Sequence, residues 1–198
     1  MFRIQPKPRR IDFIYYETNF LTSYEITKLE TQLDSISYQK GIAGDPNDIY
    51  GKLARSSKVK WLPQSSEWKW LYDKIIIKML KTNEDYWGFN LNDMHDAIQY
   101  STYFASEKGK YDWHLDVGPG VTSYRKLSAV IPLTPSTLYK GGKLEFFSNQ
   151  KLEENDLKLI NEVGTITMFP SYILHRITPV TEGSRNSLVI WMGGVPFR

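Results

Sequence analysis

The spacing of apolar residues changes once along this chain, near residue 96, and that change constrains the fold more than any other feature. Before it, apolar side chains recur every three or four residues. After it they alternate, in short runs rich in Tyr, Val, Ile, Thr and Phe that Gly and Pro interrupt. The first spacing lines one stripe of a helix and the second lines one face of a strand. Ile26, Leu29 and Leu33, preceded by Thr22 and Ser23 as capping residues, predict an amphipathic helix. Trp68, Leu71, Tyr72, Ile75 and Met79, preceded by Ser65 and Ser66, predict a second with a wide apolar stripe. Strands are expected near residues 98–104, 111–116, 126–133, 142–147, 165–169, 173–180 and 185–193, with another near 11–16 after a charged, proline-containing arm. So many short strands protect their edges best by closing or doubling. The expected fold is mainly β with flanking helices: a double-stranded β-helix (jelly roll, cupin-like) with the N-terminal helices packed on one sheet.

Composition fits one domain over residues 1–198. The chain has a net charge of +3, 41% hydrophobic residues, no cysteine and no internal repeat. Residues 1–95 supply the strand, the helices and a loop, and 96–198 the jelly-roll core. The loop runs from Gln39 to Lys60, where Gly41, Gly44, Asp45-Pro46, Gly51 and the adjacent Ser56 and Ser57 favour turns; it is the candidate lid. Absence of cysteine excludes a disulfide framework, and the start MFRIQPKPRR carries charge where a signal peptide is apolar. The longest apolar stretches fall well short of the roughly 20 residues of a spanning helix. A cytoplasmic protein without a membrane partner is expected. Acidic residues interleave with the basic ones, so Lys7-Pro8-Arg9-Arg10 does not by itself make a nucleic-acid binder. Oligomeric state is not readable from the sequence.

Only three histidines are present, and His114 stands in the strand-like run Tyr111-Asp112-Trp113-His114-Leu115-Asp116. Residues i and i+2 share a strand face, so His114 and Asp116 can offer a nitrogen and a carboxylate oxygen to one point. A third ligand must come from elsewhere, and His175 lies in another β-like run, Ile173 to Ile177. Two histidines and one carboxylate form the facial triad of non-heme iron(II) oxygenases, which leaves positions open for substrate and dioxygen. Taken alone, the H-x-D triplet fits a pair of structural residues better than a metal site. Arg185, ten residues after His175, adds a planar cation suited to a carboxylate; its bland counterpart is an ion pair with Glu182. Period two from Arg185 puts Ser187, Val189 and Trp191 on its face, where Trp191 lines either a pocket or ordinary core. His95 stands apart, structural or exposed.

This ordered set resembles the iron(II)/2-oxoglutarate-dependent dioxygenases, particularly the prolyl 4-hydroxylase-like branch that includes the PKHD-type hydroxylases. Arg125-Lys126-Leu127-Ser128, Tyr139-Lys140-Gly141-Gly142-Lys143-Leu144, Phe169-Pro170-Ser171, Leu174 to Thr181 with Gly183 and Arg185, and Leu188 to Trp191 are all similar to that branch. So is the upstream run Arg55 to Leu62. The resemblance implies that His114, Asp116 and His175 bind Fe(II), that Arg185 holds the distal carboxylate of 2-oxoglutarate, and that Tyr103 helps to hold this co-substrate, with Tyr100 as competitor. It also implies dioxygen consumption, release of succinate and carbon dioxide, and ascorbate as a reductant. A peptidyl residue such as proline is the first choice of substrate. A free amino acid or other small molecule, a non-enzymatic jelly-roll binding module and a nucleic-acid demethylase are the alternatives. Collagen-type members differ in carrying lysine in place of Arg185 and in having disulfides, so their substrates do not transfer.

Overall fold

A computed structural model describes residues 13–41, 54–148 and 152–197. The N-terminal arm at 1–10 and the middle of the candidate lid, 42–53, lie outside the described residues. In chain order the elements are β1 (Tyr15–Glu17), α1 (Ser23–Gln32), β2 (Gln39–Lys40), β3 (Arg55–Ser56), β4 (Lys58–Leu62), α2 (Lys69–Tyr86), β5 (Ile98–Phe104), β6 (Lys110–His114), β7 (Arg125–Pro132), β8 (Tyr139–Gly141), β9 (Leu144–Phe146), α3 (Glu154–Leu159), β10 (Ile166–Pro170), β11 (His175–Ile177) and β12 (Val180–Gly193).

These strands form two antiparallel sheets, as a double-stranded β-helix requires. The major sheet has the order β1-β10-β7-β12-β5-β4-β2, with β8 attached to the first part of β12; the minor sheet has the order β3-β6-β11-β9. Alternation decides what each face touches. Leu188, Ile190 and Met192 of β12 and Leu127, Ala129 and Ile131 of β7 meet Leu29 of α1 and Leu71, Ile75 and Met79 of α2 in the main core. The opposite face of the major sheet meets the minor sheet through Tyr103, Val130, Leu144, Phe169, Ile177 and Val180. The helices thus seal one side and leave the space between the sheets for chemistry. The cap of α1 is the one its sequence calls for: the Glu25 N–H donates to Thr22 Oγ1 while the Thr22 N–H donates to the Glu25 carboxylate. No helix among the described residues is long and apolar enough to cross a membrane.

Several boundaries differ from expectation. The ends of the Gln39 to Lys60 segment are sheet rungs rather than loop, because β2 and β3 pair with β4 and β6. Strand β6 stops at His114, short of Asp116. The run Thr181 to Ser184, which falls between the strands expected at 173–180 and 185–193, belongs to β12, whose first residues pair with β8. Gly183 makes this continuous bend feasible: its φ is +68°, and a Cβ there would lie 2.3 Å from the Leu138 carbonyl oxygen. The short helix α3 has no long apolar stripe and gave no periodic signal.

Candidate active site

Antiparallel register between β6 and β11 sets His114 directly opposite His175. Each ring is held the same way. Nδ1 of His114 donates to the Asp112 carbonyl at 2.8 Å, and Nδ1 of His175 to the Ile173 carbonyl at 2.9 Å. A carbonyl can only accept, so the proton sits on Nδ1 and the Nε2 lone pair is left for a cation. Asp116 reaches the same place from a turn beyond β6, where the N–H groups of Asp116 and Val117 donate to the Ser171 carbonyl at 3.0 and 3.2 Å. His114 Nε2 is 3.7 Å from Asp116 Oδ1 and His175 Nε2 is 3.6 Å from Oδ2. One ligand atom from each of the three residues lies within 4.8 Å of the others.

The donor set fits a divalent metal. Asp116 Oδ2 is buried without a hydrogen-bond partner, a costly state for a carboxylate unless a cation occupies the space before it. Burial, and then the charge of His175, push the His114 imidazole down to about 3, so the ring is neutral at neutral pH. Burial alone would raise the Asp116 carboxyl, but His175, His114, a hydrogen bond from Ser128 and the charge of Arg125 together hold it below the usual carboxylate range. Neutral imidazole and ionised carboxylate are the forms that ligate iron.

Beside these three residues lies a cavity of about 690 Å³ lined by residues of both sheets, among them Tyr103, Val130, Ile177, Val189 and Trp191. Arg185 is 0% exposed, and its Nη1 donates to Ser187 Oγ at 2.9 Å. Its Nε and Nη2 are buried with no partner. Glu182, the acid that could have paired with it on the surface, pairs instead with Lys140 at 2.7 Å. A buried guanidinium with unused donors fits an anionic ligand such as the far carboxylate of 2-oxoglutarate. Gly142, at φ +58°, packs over the arginine stem; a Cβ there would sit 2.9 Å from Arg185 Cδ.

Tyr103 is the cross-strand partner of Arg185 and lines the cavity, its ring centroid 5.8 Å from the guanidinium carbon. Tyr100 is on the opposite face, in the helix-covered core. Trp191 lines the cavity too, with the guanidinium carbon of Arg125 3.9 Å from its ring centroid. His95 lies outside the site, half exposed, its ring against Tyr124.

Tyr111 and Arg55 are among the cavity residues that escaped sequence reasoning. Tyr111 stacks on His114 with ring centroids 3.4 Å apart, and the guanidinium carbon of Arg55 lies 4.7 Å from the centroid of the Tyr111 ring. Three residues before His114 is the wrong parity for a regular strand. A register shift corrects it: His175 faces His114, whereas Ile177, two residues on, faces Tyr111. Burial pushes the Tyr111 phenol up to about 12, which keeps it a hydrogen-bond donor.

Comparison with known proteins agrees with this geometry. Residues 98–193 match the model of the 2OG-Fe(II) oxygenase superfamily. A PKHD-type hydroxylase of Prochlorococcus marinus is 30% identical over 181 residues, 88% of this chain and 77% of that protein. One from Synechococcus sp. is 37% identical over a shorter stretch, 44% of this chain and 38% of its own length. Among solved structures, a Pseudomonas putida prolyl-4-hydroxylase superposes with a TM-score of 0.67 at 19% identity, covering 91% of this chain and 92% of that one. A Trichoplax adhaerens prolyl hydroxylase in complex with a hypoxia inducible factor peptide fragment gives a TM-score of 0.71 at 16% identity, covering 91% and 83%. With the ordered motifs, the paired histidines and these relatives together, the chain belongs to the 2OG-Fe(II) oxygenase superfamily, among the PKHD-type hydroxylases.

Proposed function

We propose that this protein is an Fe(II)- and 2-oxoglutarate-dependent hydroxylase of a peptidyl residue such as proline, in which His114, Asp116 and His175 hold the iron and Arg185 holds the co-substrate. The observation that carries this reading is a buried Asp116 Oδ2 without a partner, lining the cavity, together with buried, unpartnered Nε and Nη2 atoms on Arg185, whose cross-strand neighbour Tyr103 lines that cavity. When bound, the ferrous ion and 2-oxoglutarate supply the oxidation: dioxygen is consumed, the keto acid leaves as succinate and carbon dioxide, and a substrate C–H becomes C–OH.

The protein's own part is to bind, orient and exclude. Arg185, fixed by Ser187, offers Nε and Nη2 to the distal carboxylate, and Tyr103 closes the same end. Val130, Leu144, Ile177 and Val189 wall the cavity with hydrocarbon, keeping water from the reacting centre. Trp191, backed by Arg125, forms the wall on the major-sheet side; Arg125 is itself held by Asp96 at 2.9 Å. A peptide substrate is supported by the exposed apolar rim, where Leu115 is 48% and Val121 81% exposed, and by the peptide bound to the Trichoplax neighbour of the same fold.

The test is a panel of proline-containing peptides incubated with Fe(II), 2-oxoglutarate and air. Succinate is expected to form in step with a gain of one oxygen on proline, and both are expected to vanish in His175→Ala. Succinate formation equal in wild type and His175→Ala would contradict the proposed iron site; succinate formation with every prolyl peptide left unmodified would contradict the proposed substrate.

A further inference from the structure

Among the described residues, Arg55 is the one cavity-lining charge that the reaction described above leaves without a counter-ion. It is 6% exposed, lies on β3 opposite Tyr111 of β6, and lines the same cavity as His114 and Asp116. Its Nε donates to Ser57 Oγ at 2.8 Å and its Nη2 reaches Ser101 Oγ at 3.4 Å. The remaining guanidinium N–H groups have no partner among the described residues, and no carboxylate among them pairs with it. Two hydroxyls and an aromatic face orient the group without neutralising it.

The other charges balance. Asp116 and the keto-acid carboxylate together match a ferrous ion, the distal carboxylate matches Arg185, and Asp96 matches Arg125. Asp116 is the only acid lining the cavity among the described residues. A permanently charged guanidinium is costly to bury unless an anion arrives with the ligand. The two buried arginines are also placed alike: Ser101 and Ser187 are a cross-strand pair, and each holds one of them, Ser101 reaching Arg55 and Ser187 reaching Arg185.

We propose that Arg55 binds a carboxylate of the primary substrate, so that the residue to be hydroxylated itself carries a free carboxylate, as in a free amino acid or the last residue of a peptide. This rests on the iron and co-substrate reading of the site; a chain end would narrow the peptidyl substrate proposed above, and a free amino acid would replace it. Tyr111, stacked between Arg55 and His114, then sets the spacing between the anion and the reacting carbon.

The test uses the full chain loaded with Fe(II) and 2-oxoglutarate without oxygen, titrated calorimetrically with two pairs of probes: proline against prolinamide, and N-acetylproline against N-acetylprolinamide. Wild type is expected to prefer the acid in at least one pair by about tenfold or more, the range of a hydrogen bond to a charged group. The pair that shows it separates a free amino acid from a chain end. Arg55→Gln is expected to abolish the preference, and Arg55→Lys to keep part of it. Circular dichroism and 2-oxoglutarate affinity, followed by the visible band of the iron complex, are read on the same samples. Acids that bind no better than amides, acids that do not bind, or a preference that survives Arg55→Gln would overturn the proposal. So would a tenfold loss of 2-oxoglutarate affinity in Arg55→Gln with acid preference intact, which would assign Arg55 to the co-substrate. Absence of the visible band in wild type would overturn the underlying site reading first.

Discussion

The two faces of β12 meet different company although their residues alternate in one strand. Arg185, Ser187, Val189 and Trp191 face the space between the sheets, where polar groups await ligands and Arg185 keeps two unpartnered nitrogens. Leu188, Ile190 and Met192 face α1 and α2, where each is 4% exposed or less and surrounded by hydrocarbon. One face holds unsatisfied polar atoms and the other has none to satisfy. The stability of the helix-covered face is what permits the other to carry buried charge. Substitutions on the two faces should therefore separate stability from ligand affinity.

The largest effect is expected where the cavity side meets the metal. Asp116→Ala removes the one carboxylate side chain of the proposed iron site, and turnover is expected to fall on the order of a thousandfold, several kcal/mol of added barrier, with iron retention after gel filtration as the check. Next comes the helix-covered face. Leu188→Ala is expected to cost about 2–5 kcal/mol in urea unfolding, while the protein that remains folded keeps wild-type affinity for 2-oxoglutarate. Equal losses of stability and affinity would break the proposed division. Arg185→Gln should do the reverse, weakening 2-oxoglutarate by roughly ten- to a hundredfold with little change in the unfolding midpoint of the iron-free protein. Ser187→Ala, which removes one hydrogen bond that orients Arg185, is expected to weaken 2-oxoglutarate by only a few-fold, about 1 kcal/mol.

The smallest effect lies far from both faces. Glu17 on β1 bonds Lys78 of α2, and that bond chiefly holds its carboxyl below the usual value, with burial opposing. A carboxyl lowered by folding stabilises above its unfolded value near 4.5 and loses that contribution as pH falls through its lower folded value. The pair is solvent-screened, so Glu17→Gln is expected to flatten the acid side of the stability curve by less than about 1 kcal/mol.

Much of this was readable without coordinates, and the reasons are local. The alternation from Arg185 to Trp191 assigns both faces of β12, and Thr22 and Ser23 mark the start of α1, because each pattern depends on residues within a few positions. His114 and His175 were legible as ligands by chemistry, but that they stand directly opposite needed the β6–β11 register. Asp116 reached its place through a turn tied to Ser171, not through strand parity. Tyr111 was hidden because a register shift reverses its side. Arg55 was hidden because its position depends on β3 pairing with β6 across a long stretch of chain. Residues whose orientation depends on non-local pairing carry no periodic signal.

The central claim is that one cavity holds Fe(II) on three side chains and 2-oxoglutarate on Arg185. Anaerobic titration of metal-free protein with Fe(II) and 2-oxoglutarate, followed in the visible range, tests it without any substrate. The account predicts the charge-transfer band of an iron-chelated keto acid in wild type, its loss in His175→Ala, and a need for roughly ten- to a hundredfold more 2-oxoglutarate in Arg185→Gln. No band at saturating ligand, or a band indifferent to both substitutions, would contradict it.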